Sequence, residues 1–137
     1  MTDTSDPTVP TLSDEACQAL RSVELGVEWV HRAHGDLVGF HHKTGTAMAH
    51  LADAERELRK CGHDDLADEL RDRFLPLGVI DDDRWSYDVL ETYQAGFFDP
   101  LTDFSRRATD EIADGHRHVF ERRTEELRKR QASGDGR

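Results

Sequence analysis

Residues 13–40 read SDEACQALRSVELGVEWVHRAHGDLVGF, and the spacing of their apolar positions decides the fold. Ala16, Leu20, Val23, Val27, Val30, His34 and Leu37 recur in steps of three and four, the period of one helix face, and His41, Met48, Leu51 and Leu58 carry the stripe onward. Ser13 supplies a side-chain acceptor at the start, and Asp14 and Glu15 put negative charge where the helix dipole favours it. Gly62, following Lys60 and Cys61, is the expected end, because glycine accepts the left-handed conformation in which helices commonly terminate. No stretch alternates with the period of two that a half-buried strand requires, so the class is all-α.

Beyond Gly62 the pattern predicts a short helix from Asp64 or Asp65 to Phe74, with Leu66, Leu70 and Phe74 as its apolar side and Leu75-Pro-Leu-Gly78 as its stop. Asp81-Asp-Asp83 is then expected to open a second periodic stretch, running through Trp85 or Ser86, Val89 or Leu90, Tyr93, Phe97, Leu101, Phe104, Ala108, Ile112, Gly115, Val119 and Leu127. Gly35, Gly39 and Gly45 weaken the first stretch by about 1 kcal/mol each, and Pro100 removes a hydrogen bond from the second. Two arrangements fit: an antiparallel pair of long helices with a short third, or the same segments broken into a four- or five-helix bundle. The bundle is preferred because it buries more apolar surface per residue, with kinks expected near Gly35–Gly39 and Pro100. The expected organisation is one helical-bundle domain over residues 12–130, with disordered tails at 1–11 and 131–137.

Twenty-nine acidic residues face eighteen basic ones, of which only Lys43, Lys60 and Lys129 are lysines; asparagine is absent and the formal net charge is −11. Such repulsion works against a compact state in dilute buffer, but near 1 M salt the Debye length falls to about 3 Å and screens it. The composition is that of a chain adapted to concentrated salt. No apolar run approaches a membrane span, and the first residues lack the basic-then-apolar order of a signal peptide, so a cytoplasmic protein without membrane contact is expected. Cys17 and Cys61 form no metal or disulfide pattern and read as reduced, buried thiols.

Eight histidines in an acidic helical chain raise the question of a metal. On a continuous helix Glu24, Glu28, His31 and His42 share one edge, while His34 and His41 sit in the apolar stripe. Glu28 and His31 make one Glu-x-x-His, the spacing by which carboxylate-bridged bundles present two ligands to one side. The later segment offers His116, and His118 with Glu121 in the reverse order. The candidate metal set is therefore Glu28, His31, His34, His41, His42 and His116. Against it stands the plainer expectation that His34 and His41 are hydrogen-bonded inward-facing side chains and the others are solvated.

His41-His-Lys-Thr-Gly-Thr46 is the densest polar cluster, read as a helix break or an anion-contacting pocket, although it matches no phosphate-loop motif. Trp85, Tyr87, Tyr93, Phe97 and Phe98 concentrate the aromatic content, more simply as core than as a ligand box. From His116 to Arg130 runs the basic island; Arg117, Arg122, Arg123, Arg128, Lys129 and Arg130 are its candidate contacts for nucleic acid or an acidic partner. Glu125–Lys129 and Glu126–Arg130 pairs offer a simpler account, and high salt argues against nucleic acid. No serine or cysteine stands in a nucleophile context, so no catalytic residue and no cofactor are indicated.

Phe40-His-His-Lys-Thr-Gly-Thr-Ala-Met48, Asp83-Arg-Trp-Ser-Tyr87 and Gly115-His-Arg-His-Val-Phe-Glu121 resemble a family of small, uncharacterised helical proteins from haloarchaea, over about residues 15 to 130. The resemblance implies a salt-loving archaeal cytoplasm and carries no activity or residue role. A non-enzymatic module that self-associates or docks a protein partner ranks first among the expected functions. A metal- or anion-binding bundle comes second, and a nucleic-acid accessory third.

Overall fold

Ser13 starts the first helix as its side chain suggests. Its Oγ accepts from Ala16 N–H at 3.1 Å and its carbonyl from Cys17 N–H at 2.9 Å. The computed structural model describes residues 11–133, so most of both expected tails lies outside the described residues. Helix α1 spans Asp14–Lys60 and passes through Gly26, Gly35, Gly39 and Gly45 without interruption. Glycine lowers helix propensity but removes no hydrogen bond, so these positions weaken α1 without breaking it. The first stretch thus follows the long-helix arrangement. It ends in a Schellman motif: Gly62 adopts φ +90°, its N–H donates to Arg59 O at 3.2 Å, and His63 N–H donates to Leu58 O at 2.8 Å.

Helix α2, Asp64–Glu69, runs into a π-turn over Leu70–Phe74. Its buried side chain is Ala67, whereas Leu66, expected on the apolar side, is exposed. Helix α3 covers Ser86–Tyr93, a second π-turn covers Gln94–Phe98, and α4 covers Asp99–Ala113. Pro100 is the second residue of α4. Proline crowds the carbonyl four residues back; here that residue is Gly96, inside the widened turn. Helix α5 spans Val119–Ser133. The second periodic stretch is therefore broken at Asp114 (φ 50°) and Gly115 (φ 84°), where the apolar pattern alone predicts continuity. Among the described residues there is no strand, only an isolated bridge between Ile80 and Arg84, and no helix is long and apolar enough to cross a membrane.

The chain forms two compact units. One comprises residues up to His31 together with Asp99 onward; the other is Arg32–Phe98. In the first, Cys17, Leu20, Ala113 and Val119 are buried, with Leu12, Ala108, Ile112 and Phe120 packed against them. Leu20 and Val119, almost fully enclosed, contribute about 1.5–3 kcal/mol each. The Arg21 guanidinium lies 4.3 Å from the Phe120 ring centre and covers that side of the core.

In the second unit several polar links join the elements. Arg59 bridges Glu55 (2.9 Å) and Asp68 (2.8 Å), tying α1 to α2, and the Asp68 and Glu55 hydrogen bonds raise its pKa. His41 Nδ1 and Ser86 Oγ lie 2.8 Å apart, which satisfies the buried serine. Asp81–Asp83 does not open the next helix: it forms a tight turn with Asp82 and Asp83 at positive φ, and Gly78 N–H donates to Asp83 Oδ1 at 2.7 Å. Helix α3 starts instead at Ser86, with Asp88 Oδ2 accepting from Trp85 N–H at 3.0 Å. Trp85 and Tyr87 are both exposed, and the serine between them points inward.

Candidate functional site

In the first unit, Glu24, Glu28 and His31 recur at steps of four and three on α1, which aligns them along one edge, as the sequence suggests. The α4–α5 connection comes up against that edge. Asp114 and Gly115 reverse the chain in left-handed conformations, with His116 N–H donating to Ala113 O at 2.9 Å. His118, also left-handed at φ 60°, caps α5: its carbonyl accepts from Arg122 N–H at 2.8 Å. Its own N–H donates to Glu24 Oε2 at 3.0 Å, joining residues 94 positions apart. Glu121 lies in the first turn of α5, where the dipole favours an acid.

These side chains surround a cleft of about 360 Å³, lined by Glu24, Leu25, Val27, Glu28, His31, Ser105, Arg117, His118 and Glu121. A neighbouring cleft of about 280 Å³ shares Val27, His31, Ser105 and Arg117 and adds Thr102, Arg106, Thr109, Asp110 and Gly115. Thr102 and Thr109 donate their hydroxyl protons to the carbonyls of Asp99 and Ser105, both at 3.0 Å, so they turn lone pairs rather than protons outward. Arg106 is held by Asp103. Acceptors therefore predominate on these walls, which suits a cation or water better than an anion.

Of the six residues predicted as metal ligands, Glu28 and His31 line the same cleft. His34 and His41 belong to the second unit. His34 Nε2 lies 2.9 Å from Gln94 Nε2, and its ring stacks on Phe98 at 4.3 Å. His41 is engaged by Ser86, and His42 is an exposed side chain whose ring lies 5.7 Å from that of His41. His116 is half-buried in the α4–α5 connection. The histidines of the apolar stripe are thus hydrogen-bonded, as the plainer expectation had it. Among the described residues, the group whose ligand atoms converge is Glu24, His118 and Glu121, all within 4.8 Å of one another. The sequence pointed to Glu24 on the α1 edge and to His118-x-x-Glu121. It did not reveal that a left-handed turn would bring them together.

The His41–Thr46 cluster lies within α1, where Thr44 and Thr46 donate to the carbonyls of Phe40 (2.7 Å) and His42 (3.1 Å). The backbone amides there are spent on the helix ladder and cannot cradle a phosphate. In the basic island, Arg122 (3.1 Å) and Lys129 (3.0 Å) both pair with Glu125; the Lys129 hydrogen bond first and the Arg122 bond second hold that carboxyl below its usual range. Arg123 reaches Asp14 at 3.4 Å and the Leu12 carbonyl, and so ties α5 to the start of α1. Arg117 faces the cleft, and Arg128 and Arg130 are exposed. The expected pair of buried thiols is half realised: Cys17 is buried and Cys61 is exposed. No family model, curated protein or solved structure matches the chain.

Proposed function

We propose that the protein is a non-enzymatic self-association module whose second unit is completed by another copy of the chain, working in a salt-rich cytoplasm of the haloarchaeal kind. One observation carries the reading. Within Arg32–Phe98 the buried side chains are Ala67 and Ser86, while Leu66, Leu77, Tyr87 and Phe97 keep 53%, 54%, 51% and 49% of their surface exposed. Soluble monomers seldom leave so much large apolar surface beside so little core.

A second copy fits this surface better than a basic partner does. What the unit presents is apolar, and apolar surface is complementary to itself, which is what a two-fold interface requires. The net charge of −11 on each copy opposes pairing in dilute buffer and ceases to matter when salt shortens the Debye length. The acid excess and the scarcity of lysine support the habitat.

Light scattering across a salt series tests the reading. The expected outcome is a dimer or larger assembly near 1 M salt that dissociates toward about 0.1 M as screening is lost. Tyr87→Glu with Phe97→Glu, both surface positions, is expected to yield a helical monomer in high salt. A wild-type chain that stays monomeric throughout the series, at high protein concentration, would sink the proposal.

A further inference from the structure

Glu24, His118 and Glu121 bring two carboxylates and an imidazole together from α1 and the start of α5. We infer that they form a site for a divalent transition-metal ion of the zinc type. This rests on the first unit's geometry and is independent of the association reading. The donor set selects the class. An imidazole nitrogen suits zinc, copper, iron and nickel, whereas magnesium, calcium and manganese prefer oxygen donors. Two carboxylates and a neutral imidazole also balance a dipositive charge.

The distances are close to what coordination needs. A tetrahedral ion with bonds of about 2.0–2.1 Å holds its donor atoms roughly 3.4 Å apart. The three donors already lie within 4.8 Å of one another, and His118 and Glu121 are exposed enough to rotate inward. Glu24 is the anchored member: one of its oxygens accepts the His118 N–H at 3.0 Å, which fixes the carboxylate's direction and keeps the α5 start beside it. Three protein donors leave a fourth position for water, and Glu28 and His31 line the same cleft as further donors. Two features oppose the ion: Arg117 on the cleft wall, and the positive end of the α5 dipole, equivalent to about half a charge. The two full charges of the Glu24 and Glu121 carboxylates outweigh them.

The competing role for Glu24 is simply to cap α5, and the choice of variants separates the two. Glu24→Gln keeps an oxygen for the His118 amide but loses the charge; His118→Asn tolerates the left-handed backbone but loses the imidazole. The experiment titrates zinc(II) calorimetrically, and cobalt(II) by its visible spectrum, into the untagged full-length chain, with magnesium(II) as the contrast. The expected result is saturable zinc binding at one equivalent, a cobalt spectrum of low-coordinate N/O type, and no comparable response to magnesium. Each variant is expected to weaken zinc binding by at least about tenfold while its circular dichroism stays that of wild type. Binding without a one-equivalent end point, or binding that survives both substitutions in folded protein, would show only surface acids collecting cations and would overturn the inference.

Discussion

Gly78 has no room for a side chain. A Cβ there would lie 2.4 Å from the carbonyl carbon of Asp83 and 2.7 Å from the Arg84 nitrogen, both backbone atoms that cannot step aside. The crowding follows from the turn itself, in which Gly78 N–H meets Asp83 Oδ1 and Val79 N–H meets Arg84 O at 2.7 Å. Gly78→Ala is therefore expected to destabilise the second unit by about 1–3 kcal/mol, read as a lower denaturation midpoint at unchanged slope. An unaltered midpoint would contradict the geometry. The sequence marks Leu75–Gly78 as a helix stop and Asp81–Asp83 as a helix start; the first reading matches the structure and the second does not. Three acids in a row suit a first helical turn by charge. Asp82 and Asp83 instead use the tolerance of aspartate for the left-handed region, a choice made by the chain reversal and not visible in composition. The candidate site shows the same limit. Glu24 and the His118-x-x-Glu121 spacing are visible in the sequence, but their meeting depends on three left-handed residues within the α4–α5 connection, Asp114, Gly115 and His118.

At the scale of the element, α1 holds its 47 residues together despite four interior glycines. Nothing lies within 4 Å of a Cβ built on Gly35, and its backbone is helical, so Gly35→Ala gains propensity without a clash. The expected gain is about 1 kcal/mol, measured as a higher denaturation midpoint; a loss would mean that this face meets something else. The periodicity made the two ends of α1 legible, because Ser13 and Gly62 both act as local chemistry dictates, but not its continuity: the preferred reading broke the helix near Gly35–Gly39, where it runs on. The later stretch was legible only as helical. Its apolar register continues through Gly115, but Asp-Gly is also a turn signal, and here the turn wins over the register. The π-turn at Gln94–Phe98 was invisible to an apolar pattern that tolerates either helical pitch.

At the scale of the whole molecule, the two units differ in kind. The first closes a small apolar core, and in the second Arg59, His41–Ser86 and His34–Gln94 links join the elements around two buried side chains. Charge sets the conditions under which either holds. Single surface pairs such as Glu125–Lys129 matter little in salt strong enough to screen them, so apolar burial must carry most of the stability there. The cysteines supply an internal clock for this difference. Cys17, 2% exposed, sits in the first unit's core, while the Cys61 thiol is exposed at the end of α1. A thiol reagent is expected to modify Cys61 in a fast phase and Cys17 in a slow one whose rate follows the opening of the core. Two phases of equal rate would mean that the core does not protect its sulfur. The chain therefore carries, without any added label, a chronometer for how often its better-packed half comes apart.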